Sequence, residues 1–326
     1  MSTRQPKIAV LAGGFSSERE ISLASGQTAF DAFINAGMEA FIVDVRQDGW
    51  YVDGVKTSIE NLGADYCYNA VHGTPGENGL ISGALEMLGI PHSTCDTFES
   101  ALTFNKGKCN ELLALYGIAV PKGKLYLTRP PVEEFKDWNF PLFIKPNRSG
   151  SSFGITRVST LEEVDKALDF AFKEDDQIIV EEEVVGTEMG CGVLSSRTNF
   201  SSGTVEDTRN PQAIALTEIV PTEAAFFDYQ AKYEGKSQEI TPARISEEVR
   251  EEIFELSKRV YQLLSLKGIV RIDYIWSAER GPVLIEVNSI PGLSPASIVP
   301  QQIAYRNWDI SKVFSTLAIE DMQDHD

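Results

Sequence analysis

The order of strand, glycine turn, helix and strand at the start of the chain most constrains its fold. An apolar run covers residues 7–11 and ends before a pair of glycines. Ser17 and Glu20 have the spacing of a capping box, which predicts a helix that ends near Gly37, and a second strand follows at 40–45. Such a unit predicts two parallel strands joined by a right-handed helical crossover. The chain should therefore begin with a parallel α/β sheet.

The composition is that of a globular protein with an acidic excess. Of the 326 residues, 42% are hydrophobic and 24% are charged, which excludes a disordered tail protein. Lys and Arg number 29 and Asp and Glu number 48, and the resulting net charge of −19 argues against non-specific binding of nucleic acid. No apolar stretch approaches the ~20 residues of a membrane span, and the first apolar run is too short for a signal peptide. We expect a cytoplasmic protein that binds neither nucleic acid nor membrane.

Cysteine and histidine usage gives no sign of a disulfide or zinc scaffold. The four cysteines are scattered and form no CxxC pair. His72, His92 and His325 lack the spacing of metal ligands.

Length and pattern predict three units. Residues 1–104 form the N-terminal α/β domain, and 105–186 form a small α+β unit. Residues 187–326 form a third unit, which contains a polar, irregular stretch at 197–242 and a strong helix capped by Ser246. The acidic C-terminal residues EDMQDHD are expected to fray.

The last two strands carry the most informative polar pattern. Arg271 and Asp273 lie two residues apart, as do Glu286 and Asn288, so each pair shares one face of its strand. If the strands form a hairpin, the two faces meet, and opposed side chains have Cβ atoms ~4.5–5.5 Å apart.

The register of this hairpin decides what the pattern can bind. Pairing Trp276 with Val283 places Asp273 opposite Glu286, and two such carboxylates repel unless a proton or a cation lies between them. Oxygen ligands from Asp, Glu and Asn suit Mg²⁺. The same alternation also fits the solvated polar face of a one-sided sheet.

A loop of small residues is a second candidate site. The segment 147–154, NRSGSSFG, follows Lys145 at the end of a strand. Its backbone N–H groups can cradle phosphate oxygens, and the lysine adds a positive charge. The lysine precedes the glycines, so this is not a GxxxxGK[ST] phosphate loop. A flexible hairpin turn is the alternative.

Other polar residues leave two interpretations open. Glu18, in the first turn of the first helix, fits a partner of the helix dipole or a ligand-binding acid. His72 precedes a glycine-rich segment and fits either a site residue or a turn. The acidic run 181–183 can face solvent or a ligand amine. Lys232 and Tyr233 lie in a polar stretch that is either a closing loop or a solvated one.

Taken together, the motifs resemble one family. In order along the chain they are GGFSSEREIS, HGTPGENG, FNKGKCNELL, FIKPNRSGSSFG, VEEEVVGTE, FFDYQAKY, GIVRIDYI and IEVNSIPGLSPASIVP. This series resembles the D-alanine–D-alanine ligases, and the resemblance spans residues 7 to about 315. It implies an ATP-grasp fold, α/β and α+β in class, preceded by the parallel-sheet N-terminal domain.

The resemblance implies an ATP-dependent ligation. ATP phosphorylates the carboxylate of a first D-alanine, the amine of a second D-alanine attacks, and D-alanyl-D-alanine, ADP and phosphate result, for peptidoglycan synthesis. Two Mg²⁺ ions, with Mn²⁺ as an alternative, and a homodimer are also implied. The competing hypotheses are a D-alanine–D-lactate or D-alanine–D-serine ligase, another ATP-grasp carboxylate–amine ligase, and a non-enzymatic nucleotide-binding protein. Tyr233 argues against the lactate type.

The resemblance also implies roles on the substrate side. Glu18 matches the acid that binds the ammonium of the first D-alanine, with His72 nearby. Gly292 matches a backbone donor to the oxyanion. Ser297 and Ile298 match the pocket for the carboxylate of the second D-alanine.

On the ATP side the resemblance implies three groups of residues. The phosphate and closing-loop residues are Lys106, Lys145, Ser151, Lys232 and Tyr233, of which Tyr233 would bond to Glu18 and Ser151. The nucleoside residues are Glu181, Glu182 and Val184 at the adenine and Glu188 at the ribose. The residues at the transferring charge are Arg271 and the metal ligands Asp273, Glu286 and Asn288.

Overall fold

The structure is a computed structural model that describes residues 4–150, 153–221 and 237–325. Within these ranges, eight α-helices and fourteen strands form three sheets. No helix among the described residues is both long and apolar enough to cross a bilayer. The predicted boundaries at residues 104 and 186 remain predictions.

The first sheet contains the predicted parallel strands. Its elements are β1 (Lys7–Gly13), α1 (Arg19–Asn35), β2 (Glu39–Arg46), β3 (Gly49–Val52), β4 (Val55–Thr57) and β5 (Tyr66–Asn69). The strand order is β4-β3-β2-β1-β5, and β1 lies parallel to both β2 and β5. The antiparallel hairpin β3–β4 extends the edge and was not predicted.

The first helix does not form the predicted capping box. Helix α1 begins at Arg19 with Glu18 at the N-cap, and no side chain caps it. Instead, the hydroxyl of Ser16 accepts a hydrogen bond from the backbone N–H of Glu18. Glu18 is buried, and its carboxylate points toward two glycines described below, so tertiary packing overrides the local motif.

Three helices connect the first sheet to the second. They are α2 (Leu80–Met87), α3 (Thr97–Phe104) and α4 (Lys106–Leu115). The side chain of Asn105 caps α4 by accepting from the backbone N–H of Lys108. Cys109 and Leu113 of α4 pack into the hydrophobic core of the third sheet.

The second sheet is small and antiparallel. It consists of β6 (Gly123–Tyr126), β7 (Leu142–Pro146), β8 (Thr156–Val158) and β9 (Ile178–Glu182) in the order β6-β9-β7-β8, with α5 (Leu161–Ala171) packed beside it. The glycine-rich loop joins β7 to β8, as predicted.

The third sheet is antiparallel, in the order β12-β11-β10-β13-β14. Its elements are β10 (Thr187–Thr198), β11 (Val205–Pro221), β12 (Ser237–Ile240), α6 (Glu247–Leu263), β13 (Ile269–Ser277), β14 (Gly281–Asn288), α7 (Ile298–Tyr305) and α8 (Ile310–His325). Ser246 caps α6 by accepting from the backbone N–H of Val249, which confirms the predicted helix start.

The prediction of an irregular stretch at 197–242 was wrong for much of its length. Strand β11 occupies 17 residues there and pairs with β10. Only its central residues, Ile214 to Leu216, contribute buried apolar side chains, so the rest of the strand shows no hydrophobic period. Pairing with β10, rather than local sequence, makes this segment a strand.

The acidic C-terminus is helical and not frayed up to His325. Asp321 accepts a hydrogen bond of 2.6 Å from the hydroxyl of Tyr66, and Glu320 accepts one of 2.9 Å from Ser196. Earlier in the same helix, Phe314 stacks on Tyr68 with ring centroids 5.1 Å apart. Helix α8 therefore packs the end of the chain against the first sheet.

Candidate active site

The hairpin of β13 and β14 opposes the polar residues as predicted. Asp273 pairs with Glu286 and Arg271 pairs with Asn288. The assumed pairing of Trp276 was wrong: it lies opposite Pro282, because a bulge between Asp273 and Tyr274 shifts the register by one residue.

The charges of the two opposed carboxylates are balanced by cationic side chains of the protein. The guanidinium of Arg271 holds both oxygens of Asp273, and Nζ of Lys106 lies 3.4 Å from Oε2 of Glu286. Two cationic side chains therefore supply the opposite charge that carboxylates at this separation require.

The donor set nevertheless fits Mg²⁺. The amide of Asn288 lies between the two acids, with Nδ2 3.0 Å from Oδ2 of Asp273 and 3.4 Å from Oε1 of Glu286. A carboxylate, a second carboxylate and an amide thus converge at one point, and hard oxygen donors are what Mg²⁺ prefers. Asn288 must present its amide oxygen to take part.

Glycines on the neighbouring strand make room for this arrangement. Gly190 of β10 pairs with Asp273, and Gly192 pairs with Arg271. A Cβ on Gly190 would lie 3.1 Å from Oδ1 of Asp273 and 3.2 Å from Cδ of Arg271. A larger residue at Gly190 would crowd the ion pair.

The two candidate phosphate lysines have defined partners. Lys106, in the first turn of α4, donates through Nζ to the backbone oxygen of Ser149 in the glycine-rich loop, at 2.5 Å. Lys145, at the end of β7, is buried and lies 2.6 Å from Oε2 of Glu181. Asn110 donates to the other oxygen of Glu181 at 3.2 Å. Asn110 was not predicted, because nothing in its local sequence marks it.

The two other acids of the run 181–183 differ in their surroundings. Glu182 is bound to Lys122 at 2.8 Å and to Asn139 at 3.1 Å, so its side chain already has partners on the second sheet. Glu183 accepts from Nε of Arg157 at 2.7 Å. Val184 is half-buried on the segment between β9 and β10, and Glu188 is half-buried in β10 itself.

Glu18 lies where the first unit meets the glycine-rich loop. Its Oε1 would be 2.5 Å from a Cβ on Gly150, and its Oε2 would be 2.9 Å from a Cβ on Gly73. Gly73 has a φ of 62°, which also favours glycine. These two glycines allow the buried carboxylate to approach both loops closely.

His72 is buried beside Glu18's helix. Its Nε2 lies 2.9 Å from Oγ of Ser25, which also accepts from the backbone N–H of Leu293 at 3.1 Å. Burial lowers the pKa of His72 to about 4, although a hydrogen bond to the backbone of Ile290 acts in the opposite direction. The ring is therefore neutral at neutral pH.

Glu77 is a buried acid that was not predicted as a site residue. It accepts from the backbone N–H of Gly73 at 2.7 Å. Burial, followed by the charge of Glu18, raises the pKa of Glu77 to about 8. Its position in the HGTPGENG motif, four residues after Gly73, was the available signal.

The loop after β14 leads into the N-terminus of α7. Ser297 is the N-cap of α7, but its side chain does not cap the helix. Its hydroxyl lies 2.8 Å from that of Ser294 instead, and a Cβ on Gly292 would lie 2.9 Å from Oγ of Ser297. The first backbone N–H groups of the helix are therefore not capped by Ser297.

One cavity of about 200 Å³ is lined by ten of the candidate site residues, whereas Asp273, Lys145 and the candidate nucleoside residues at 181–188 are not part of its lining. Residues 1–115 contribute Glu18, His72, Glu77 and Lys106. The third sheet and its loop contribute Arg271, Glu286, Asn288, Gly292, Ser297 and Ile298. The predicted residues Ser151, Lys232 and Tyr233 lie outside the described residues.

The chain is similar to known proteins over nearly its whole length. The family described as the D-ala D-ala ligase C-terminus matches residues 127–319. A D-alanine--D-alanine ligase of Flavobacterium johnsoniae is 38% identical, over 96% of this chain and 98% of its own length.

Two solved structures are also similar. The D-alanyl-alanine synthetase A of Vibrio cholerae has a TM-score of 0.84 and 25% identity, covering 99% of this chain and 100% of its own. The VanG D-Ala:D-Ser ligase of Enterococcus faecalis has a TM-score of 0.79 and 29% identity, covering 96% and 98%. The fold is ATP-grasp, and family members depend on ATP and typically use Mg²⁺. With its motifs in order and its relatives matched over nearly their whole length, the chain belongs to the D-alanine–D-alanine ligase family.

Proposed function

We propose that this enzyme joins two molecules of D-alanine into D-alanyl-D-alanine, with ATP converted to ADP and phosphate, for peptidoglycan precursor synthesis. One observation carries the proposal: Glu18, Lys106, Arg271 and Ser297 line a single cavity. An acid, two cations and a helix N-terminus are thereby gathered around a space of small-molecule size.

The cavity suits a zwitterionic substrate. Glu18 offers a buried carboxylate to the ammonium of the first D-alanine. The N-terminus of α7, with Ser297 and Ile298, offers backbone N–H groups and a hydroxyl to the carboxylate of the second. Gly292, in the same loop, supplies a backbone donor at the position where the oxyanion develops.

The other end of the cavity suits phosphoryl transfer. This reaction needs positioning and neutralisation of charge more than covalent help. Lys106 and Arg271, which line the cavity, provide positive charge, and Lys145 on β7 adds a third cation outside that lining. Asp273, Glu286 and Asn288 would hold two Mg²⁺ ions, with Mn²⁺ as an alternative. When bound, the metal neutralises charge on the phosphate oxygens.

Several further assignments belong to the same proposal. The backbone of Glu182, with Glu181 and Val184, would contact the adenine and Glu188 the ribose. Ser151, Lys232 and Tyr233 would close over the phosphates and the first D-alanine. A homodimer working in the cytoplasm, where ATP is available, completes the proposal.

Release of phosphate tests the function. With ATP and Mg²⁺, we expect release to depend on D-alanine, and mass spectrometry should identify D-alanyl-D-alanine. Glu18→Gln should reduce activity at least about a hundredfold by removing the charge that binds the ammonium. Glu20→Gln is the matched control, because Glu20 is an exposed acid in the same helical turn. Phosphate release at the same rate with and without D-alanine would contradict the proposal.

A second candidate is ligation of D-alanine to D-serine. The similarity to the D-Ala:D-Ser ligase of Enterococcus faecalis supports it. The same assay with equal D-alanine and D-serine distinguishes the two, because the masses of the dipeptides differ. A mixed dipeptide as the main product would favour the second candidate, and D-lactate as acceptor tests the ester-forming alternative.

A further inference from the structure

A buried hydroxyl connects two segments that border the cavity. Ser25 lies in the middle of α1 and is 0% exposed. It contacts His72, which follows β5, and Leu293, which lies in the loop at 289–294 after β14. That loop contains Gly292. Ser25 thus touches both the segment around the first substrate and the segment that carries the proposed oxyanion donor.

The direction of these hydrogen bonds follows from counting donors and acceptors. The backbone N–H of Leu293 can only donate, so Oγ of Ser25 accepts from it. Within the part of the chain that the structure describes, the other polar partner of this hydroxyl is Nε2 of His72. The single hydroxyl proton must point at Nε2, because a buried donor without an acceptor is strongly unfavourable. Nε2 is then an acceptor, and a neutral imidazole carries its proton on Nδ1.

We infer that Ser25 is a positioning residue: it holds His72 as the Nδ1–H tautomer and ties the loop of Gly292 to α1. The inference rests on the proposed function in one respect, that Glu18 and Gly292 act on the same substrate. Glu18 stands at the N-cap of α1, seven residues before Ser25 on the same rigid helix. Through Ser25, the acid for the ammonium and the donor for the oxyanion are therefore kept at a constant separation.

The cavity lining supports the coupling. His72 and the loop residues Ile290 and Gly292 line the same cavity. The ring and the loop that Ser25 joins therefore border one space. Fixing the tautomer matters because only one nitrogen of a neutral ring can donate.

Ser22 provides a matched control on the same helix. It is also 0% exposed, donates to the backbone oxygen of Ala70 at 2.7 Å and accepts from the backbone N–H of Gly13 at 2.9 Å. Its two bonds are of the same kind as those of Ser25, but they join β1 to the segment after β5. Ser22→Ala removes an equally buried hydroxyl without touching His72 or Leu293.

The tautomer can be measured directly on the full chain. Long-range ¹H–¹⁵N correlation spectra at neutral pH distinguish a protonated ring nitrogen from an unprotonated one. The chain has three histidines, and His92→Gln and His325→Gln assign the signals. We expect His72 to be protonated on Nδ1. A wild-type ring protonated on Nε2 would overturn the inference without any variant at Ser25.

The variants extend this test to function. In Ser25→Ala, we expect the Nδ1 preference of His72 to be lost, whereas Ser22→Ala keeps it. We also expect Ser25→Ala to lower kcat roughly two- to twelve-fold more than Ser22→Ala, with little change in KM for ATP. Equal decreases in kcat for the two variants would overturn the positioning role and leave Ser25 a purely structural one. If no D-amino acid stimulates phosphate release, the proposed function fails, while the spectra still decide the tautomer.

Discussion

Arg271 holds Asp273 through two parallel hydrogen bonds, Nε to Oδ1 and Nη2 to Oδ2, each 2.7 Å long. The side chains retain only 11% and 7% of their exposure. Charge-assisted bidentate contacts of this kind are among the stronger polar interactions in proteins. The arginine assigned to the transferring charge and an acid assigned to the metal are therefore direct partners, and each positions the other.

This pairing predicts unequal effects on stability for two variants at the proposed metal site. Asp273→Asn should lower the free energy of unfolding by about 1–3 kcal/mol, because Arg271 keeps its charge and loses its charged acceptor. Glu286→Gln should cost less than about 1 kcal/mol, because its contact with Lys106 is longer, at 3.4 Å, and partly solvated. Urea unfolding without Mg²⁺ measures both. Both variants should also abolish ligase activity, and equal losses of stability would contradict the difference between the two contacts.

The buried pair of Lys145 and Glu181 should show strong coupling. Among the described residues, Lys145→Met leaves the buried Glu181 carboxylate with Asn110 as its remaining side-chain partner, which should cost about 3–5 kcal/mol. Lys145→Met combined with Glu181→Gln should cost at least about 1 kcal/mol less than the sum of the single variants. A double-mutant cycle in urea gives this difference. Strict additivity would show that the two side chains do not interact energetically.

Gln302 should be important for stability despite being uncharged. It is fully buried, accepts from the backbone N–H of Gly192 at 2.9 Å, and donates to the backbone oxygen of Gly190 and the hydroxyl of Thr217. Gln302→Leu should cost about 2–4 kcal/mol, because two backbone groups of β10 lose their side-chain partner.

The neighbouring Gln301 is the control for that variant. Gln301→Leu should cost less than about 1 kcal/mol, since this side chain is only half-buried. Thermal unfolding of both variants makes the comparison. Similar melting temperatures would remove the special role of Gln302 in joining α7 to β10.

Two buried histidines should make the protein sensitive to acid. Burial lowers the pKa of both His72 and His92 to about 4, from an ordinary value of 6.5. Between these values the unfolded chain takes up protons that the folded chain does not. The free energy of unfolding should therefore fall as pH drops from 6.5 to 4, by about 2–4 kcal/mol for each ring.

Replacing either buried histidine should make the free energy of unfolding depend less steeply on pH. His72→Gln and His92→Gln should each lose less stability between pH 7 and pH 4 than the wild type, whereas the exposed His325→Gln should behave like the wild type. The packing cost of each substitution is the same at both pH values, so it cancels when the changes in the free energy of unfolding with pH are compared. If the slope of His72→Gln equals that of the wild type, this ring is not the source of the acid sensitivity.

Local patterns were sufficient for much of the fold. The apolar run and glycine turn before α1 predicted two parallel strands, and Ser246 marked the start of α6. The opposition of Asp273 and Glu286 followed from the two-residue period of strands. These features depend on residues that are near one another in sequence or share a regular repeat.

Local patterns failed where distant segments impose structure. The bulge after Asp273 changed the register of Trp276, and pairing with β10 turned a polar stretch into β11. The acidic tail is helical because distant residues bind it: the hydroxyl of Tyr66, 255 residues away, donates a hydrogen bond to Asp321. The energy of each of these features comes from contacts that a sequence window does not contain.

The residues of the candidate site also fall into two groups, those that the sequence predicted and those that only the structure revealed. The resemblance to the ligase family, carried by motifs in the sequence, named Glu18, Lys106, Arg271 and Ser297 as site residues. Ser25 and Asn110 emerged only from the folded chain, because a serine within a helix and an asparagine on α4 carry no local signal that separates them from solvated residues. Glu77 stands in the HGTPGENG motif, but only the structure shows that it is buried. Burial and long-range hydrogen bonds, which tertiary structure alone creates, gave these three side chains their roles.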